Sequence, residues 1–102
     1  MEAVLPINAL AEGGMTVCRV RGLEILVCRV EDEYYAVSNF CSHAGQRLST
    51  GRLRGFELSC PLHRAVFDVR SGAPLRAPAM TALTLYPVLI AGGKINVRVD
   101  ED

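Results

Sequence analysis

Apolar Ile95, Val97 and Val99 alternate with polar Lys94, Asn96 and Arg98 along "KINVRV" at 94–99. A period of two points to a strand with one apolar face. Similar short runs recur between closely spaced turn signals. "EGG" at 12–14 precedes "MTVCRVR" at 15–21, and Gly22 separates that run from "LEILVCRV" at 23–30. "EDE" at 31–33 leads into "YYAVS" at 34–38, and "AGG" at 91–93 divides "TALTLYPVLI" at 81–90 from the closing run. Short β-rich segments at this spacing predict an all-β fold, an antiparallel sandwich or small barrel. No segment carries a long helical period, and neither a repeat nor a low-complexity tract interrupts the pattern.

Two regions break the alternation. Residues 39–55, "NFCSHAGQRLSTGRLRG", read as a loop with Gly45, Gly51 and Gly55, and "CPLHRA" at 60–65 places a proline directly after a cysteine. The two histidines of the chain lie in these regions, each beside a cysteine: Cys41 with His43, and Cys60 with His63. Both pairs are thus expected on loops of a β scaffold, where chemistry is usually carried.

Composition narrows the classes. A length of 102 residues corresponds to one domain, 1–102, with a modest core that a metal centre would staple. Half the residues are hydrophobic, which argues against disorder. Eleven basic and eleven acidic side chains cancel, and no basic stripe or cluster in the sequence points to nucleic acid or a membrane surface. The apolar runs fall far short of the roughly 20 residues that span a bilayer. "MEAVLPINAL" lacks the charged start and apolar stretch of a signal peptide. A cytoplasmic location follows, where four cysteines suggest metal or free thiol before disulfide.

Two thiolates and two imidazoles suit zinc or an iron–sulfur centre. Structural zinc usually takes cysteines from one loop and histidines from the other, whereas here each loop offers one of each, and Cys41-x-His43 is tight for a zinc knuckle. A Rieske [2Fe–2S] centre takes two Cys on one iron and two His on the other, which two similar loops can supply. Two other readings stand beside these: a Cys–His nucleophile, without a visible oxyanion site, and plain surface histidines with buried thiols.

The segment "CSHAGQRLSTGRLRGFELSCPLHRAVFDVRSGAP" at 41–74 resembles the cluster-binding region of Rieske-type ferredoxins, the small electron carriers of bacterial ring-hydroxylating dioxygenase systems. The resemblance runs on through "PAMTALTLYPV" at 78–88 to the closing strand. It implies stacked antiparallel sheets with a cluster-binding subdomain at about 39–80. Cys41 and Cys60 would hold the buried iron of one [2Fe–2S] cluster, His43 and His63 the outer one, and Pro78–Ala79 would match a third covering loop. It also implies a carrier, not itself an enzyme, that takes electrons from an NAD(P)H-dependent flavoprotein reductase and passes them to a terminal oxygenase of aromatic hydrocarbon catabolism; a tip that serves two partners in turn favours a monomer, with the oligomeric state left open. Ala44, Gly45, Pro61, Leu62, Pro78 and Ala79 would form an apolar docking collar.

The resemblance also bears on potential. With neutral imidazoles for two thiolates, the oxidised site is about neutral and accepts an electron more readily than an all-Cys centre. Respiratory Rieske proteins add a Ser and a Tyr that donate to cluster sulfurs, and a disulfide between the loops. Ala65 and Phe67 stand at the donor positions here, and Gln46, or a near neighbour, and Leu62 at the disulfide positions. A potential toward the low end of the family, on the order of −150 mV, is expected. Arg64 stands where the family often has a small residue; a solvated cation is the plain reading, with partner choice or a raised potential as the alternative.

Three further features read as packing. Cys18 and Cys28 flank the turn near Gly22 on adjacent strands; they could face each other, though free buried thiols suit a reducing compartment better. Tyr34 and Tyr35 open a strand, and Asp68 and Arg70 are placed to pair locally. Among functions, the rivals to a dioxygenase ferredoxin are the small Rieske subunit of an assimilatory nitrite reductase and, from another class, a zinc-stabilised interaction module. A fragment of an oxygenase catalytic subunit would need a further two-histidine iron site, and no histidines remain for it. Colour separates iron from zinc: the cluster is red-brown.

Overall fold

The computed structural model describes residues 1–41, 46–61, 65–76 and 81–99. In chain order the strands are β1 Glu2–Pro6, β2 Met15–Val20, β3 Leu23–Val30, β4 Glu33–Ser38, β5 Arg52–Arg54, β6 Glu57–Ser59, β7 Val66–Asp68, β8 Pro74–Arg76, β9 Leu85–Tyr86, β10 Val88–Ala91 and β11 Lys94–Val97. A 3-10 turn at Leu48–Thr50 precedes β5. They form three antiparallel sheets ordered β1-β11-β10, β2-β3-β4-β9 and β5-β6-β7-β8, in agreement with the all-β expectation. Among the described residues no helix is long and apolar enough to cross a membrane.

The long strand β3 explains the stacking. Ile25 and Val27 pack with Val20, Ala36, Ile95 and Val97 in one core. Leu26, Cys28 and Val30 point the other way, into a second core with Val37, Leu58 and Phe67. Successive strand side chains alternate faces, so the middle of the strand, Ile25 to Cys28, is apolar at every position because both faces are covered there. β2 and β3 meet through a two-residue turn in which both Arg21 and Gly22 have positive φ, 52° and 80°, the backbone that matches a hairpin's twist.

The structure differs from the pattern reading at three places. "MEAVLPINAL" contributes β1, which pairs with β11 at the sheet edge. The segment 81–90, read as one run before the turn, divides at Pro87: β9 pairs with β4, whereas β10 pairs with β11. Proline has no N–H to continue a ladder, and its carbonyl accepts from Arg98 N at 3.0 Å. Part of the region read as loop, Arg52–Arg54, is strand β5. Cys18 and Cys28 do not face each other. The register sets Cys18 opposite Ile25 and Cys28 opposite Met15, the two lie in different cores, and both are free thiols.

Candidate metal centre

The two cysteine loops are built alike. Cys41 N–H donates to the Gln46 carbonyl at 2.7 Å, and Cys60 N–H donates to the Ala65 carbonyl at 2.8 Å. Each bond closes a loop five residues on, with residues 42–45 inside the first and 61–64 inside the second. Each also sits on a β pairing: Phe40 opposite Arg47, and Ser59 opposite Val66. Both thiols are 2% exposed and share the second core with Leu48, Leu58, Ala65 and Phe67. The structure therefore brings Cys41 and Cys60 into one buried region. His43, His63 and Arg64 lie outside the described residues, as do Ala44, Gly45, Leu62, Pro78 and Ala79 of the expected collar. Pro61 is exposed.

The supports of the two loops differ in chemistry. The first rests on a polar clasp that sequence reasoning missed. Asn39 is fully buried. Its amide donates to Glu24 Oε1 at 3.0 Å, and its carbonyl oxygen accepts from Ser49 N–H at 2.9 Å. Its main chain adds Asn39 N–H to Glu24 O at 3.1 Å and Leu48 N–H to Asn39 O at 2.7 Å. Arg47, on the far side of the loop mouth, grips the same carboxylate with Nε at 2.9 Å and Nη2 at 3.0 Å. Such a planar fork on a carboxylate fixes direction as well as charge. Arg19 stands 3.6 Å from Glu24 Oε2. The Arg47 hydrogen bonds first, then that from Asn39, hold the Glu24 carboxyl down to about 2. Entry and exit of the Cys41 loop are thereby tied to β3.

The second loop rests on packing. β6 and β7 carry Leu58 opposite Phe67, both fully buried. At Gly51 the chain approaches the β6 end so closely that a Cβ there would stand 1.8 Å from the Ser59 carbonyl oxygen. Only glycine permits that contact beside Cys60. At the end of β7, Asp68 accepts from Arg70 Nη2 at 2.9 Å, which lowers the Asp68 pKa. Arg70 also lies 3.9 Å over the Phe56 ring, and Tyr35 meets that ring edge-on. Tyr34 donates its hydroxyl to the Ile7 carbonyl. The packing roles expected for the tyrosines and for Asp68–Arg70 hold.

Two buried thiols delivered by matched loops, with Ala65 and Phe67 lining the same core, suit a cofactor held partly by sulfur and screened from water on its inner side. The sequence profile of the Rieske [2Fe-2S] domain family matches residues 1–87. The chain belongs to the Rieske family. The ferredoxin component of the naphthalene 1,2-dioxygenase system of Pseudomonas aeruginosa is 40% identical over 88 residues, covering 86% of this chain and 85% of that one. The ferredoxin of carbazole 1,9a-dioxygenase from Nocardioides aromaticivorans IC177 superposes with a TM-score of 0.89 at 39% identity, covering 93% of each chain. A complex of reduced oxygenase and oxidized ferredoxin in carbazole 1,9a-dioxygenase gives a TM-score of 0.88 at 30% identity, covering 93% of this chain and 89% of that one. The Rieske assignment makes the cofactor a [2Fe–2S] cluster and removes zinc as the resident metal. As in its ferredoxin relatives, the role is that of an electron-carrying component and not of an enzyme in itself.

Proposed function

We propose that this Rieske protein is the ferredoxin of an aromatic-ring-hydroxylating dioxygenase system. It receives single electrons from an NAD(P)H-dependent flavoprotein reductase and delivers them to a terminal oxygenase. The observation that carries the reading is the pair of matched loops, Cys41 to Gln46 and Cys60 to Ala65, that sink both thiols into one core. The ferredoxin relatives of naphthalene and carbazole dioxygenases point to the system, ahead of a nitrite reductase subunit.

In this reading Cys41, His43, Cys60 and His63 are the ligands. When bound, the cluster takes up and gives back one electron. The chain's own part is to exclude water from the thiolate side, where Leu48, Leu58, Ala65 and Phe67 are buried. Ala65 and Phe67 carry no side-chain hydroxyl, so neither side chain can donate to the cluster, which favours a low potential. Transient redox encounters use small interfaces, which suits a monomer that meets two partners in turn in the cytoplasm.

Iron and sulfide analysis of anaerobically purified protein tests the ligand set. Wild type holds two irons and two sulfides per chain; Cys41→Ala and Cys60→Ala hold none; His63→Cys keeps some cluster at a lower potential. A His63→Cys protein with wild-type potential contradicts the assignment. For the system, reduced wild-type protein reduces the oxygenase of a naphthalene dioxygenase, whereas transfer only to a nitrite reductase contradicts it.

A further inference from the structure

The formal charge of the whole chain is zero, yet its arginines are not evenly matched. On the β2-β3-β4 side, Arg19, Arg29 and Arg47 meet Glu24 or Asp32, and Arg21 meets Glu2. Arg70 meets Asp68. Arg52, Arg54 and Arg76, on the sheet that carries the second ligand loop, are exposed and have no ion-pair partner among the described residues.

The fold gathers these three. Arg52 is opposite Ser59, Ser59 opposite Val66, and Val66 opposite Arg76. Opposed residues share a face, so Arg52 and Arg76 lie in one row across four strands. Arg54 follows two residues along from Arg52, on the same face. Val66 is buried at 4% in the middle of this row. A cleft is lined by Arg52, Arg54, Glu57, Ser59, Val66 and Arg76. Glu57, opposite Arg54, is the carboxylate in that lining; its neighbour in the next strand, Asp68, is engaged by Arg70. The row lies immediately beside the Cys60–Ala65 closure, and Arg52 lines a second cleft together with Cys60 and Pro61.

We propose that this arginine face is a docking surface for a carboxylate-lined protein partner, the flavoprotein that delivers the electron. The inference rests on the electron-carrier reading. The choice of occupant follows from charge. Oxidised protein presents the arginines beside an about neutral centre, so it attracts carboxylates most strongly. Taking up one electron adds a negative charge next to the same row and weakens that attraction, by roughly two- to fourfold for charges about 10 Å apart across a wet surface. A partner that donates to the oxidised form is thus released once it has done so. An acceptor held by this face would bind its spent form more tightly than its loaded form.

The test uses the cluster-loaded chain with poly-L-glutamate as carboxylate probe, followed by calorimetry at low and near-physiological ionic strength. Oxidised wild type binds, and binding weakens with salt. The variant R52Q/R54Q/R76Q, with unchanged iron content and EPR spectrum, binds at least about tenfold more weakly. The control R21Q/K94Q binds as wild type, and reduced wild type binds roughly two- to fourfold more weakly than oxidised. Equal affinity of the triple variant and wild type, an equal loss in the control, or tighter binding of a DNA oligomer than of polyglutamate overturns the face. Tighter binding by the reduced protein overturns the electron donor as its occupant. Absence of a reversible one-electron centre in wild type overturns the carrier reading instead.

Discussion

The two cysteine loops share a closing hydrogen bond and differ in what stands behind it. Behind Cys41 is a polar clasp: buried Asn39, the Glu24 carboxylate and the Arg47 fork. Behind Cys60 is an apolar ladder, Leu58 against Phe67, with Gly51 pressed on Ser59. Polar support is directional and depends on protonation and salt. Apolar support is indifferent to both and depends on volume. One site is thus held by two kinds of force, and each can be removed without touching Cys41 or Cys60.

The largest effect is expected on the apolar side. Phe67→Ala should cost about 3–5 kcal/mol, a large part of the roughly 5–15 kcal/mol that holds a domain together. Denaturant titration of the holoprotein reads it, and the cluster absorbance should be lost at lower denaturant. A cost under about 1 kcal/mol would mean that the second loop does not lean on this ladder.

Asn39→Ala should cost less, about 1–3 kcal/mol, because it leaves the Ser49 N–H and one Glu24 oxygen short of a partner while the Arg47 fork remains. Glu24→Gln combined with Asn39→Ala should be less than additive, since both act on one network. Strict additivity in the same titration would dissolve the clasp into unrelated contacts.

Acid separates the loops next. Glu24 sits at about 2 in the folded chain against an ordinary 4.5. A carboxyl lowered by folding contributes its full stability above the ordinary value and loses it as pH falls toward the folded one. The melting temperature of wild type should therefore fall between about pH 4.5 and pH 2, and Glu24→Gln should flatten that fall. Asp68, also held low by Arg70, leaves a residual slope. Identical slopes in wild type and Glu24→Gln would contradict the clasp.

The smallest effect concerns the thiols away from the site. Burial pushes Cys28 up to about 12 and raises Cys18. In folded protein at pH 8, iodoacetamide followed by mass spectrometry should leave Cys28 unmodified, with Cys18 reacting slowly. Rapid labelling of Cys28 would show that the core behind the ligand loops opens.

Much of this was legible from residues. "KINVRV" betrays its strand because one face is buried, with Ile95 and Val97 fully so. The ligand loops stand out because cysteine and histidine are rare and specific in chemistry. "LEILVCRV" reads as a strand, but its burial between two cores is a property of the stacking, not of the run. Pro87 marks a break whose meaning, a change of sheet, depends on which neighbours β9 and β10 find. Asn39 is hidden because an asparagine in a loop is exposed by default, and only the fold brings Glu24, fifteen positions earlier, to meet it. The arginine face is hidden for the same reason, since register alone aligns Arg52 with Arg76.

The central claim is a two-Cys, two-His centre left without hydroxyl donors at positions 65 and 67. An EPR-monitored redox titration of the purified holoprotein tests it most directly. A Rieske-type signal should appear on one-electron reduction, with a midpoint on the order of −150 mV. A protein that stays silent at every potential, or a midpoint well above zero, would contradict it.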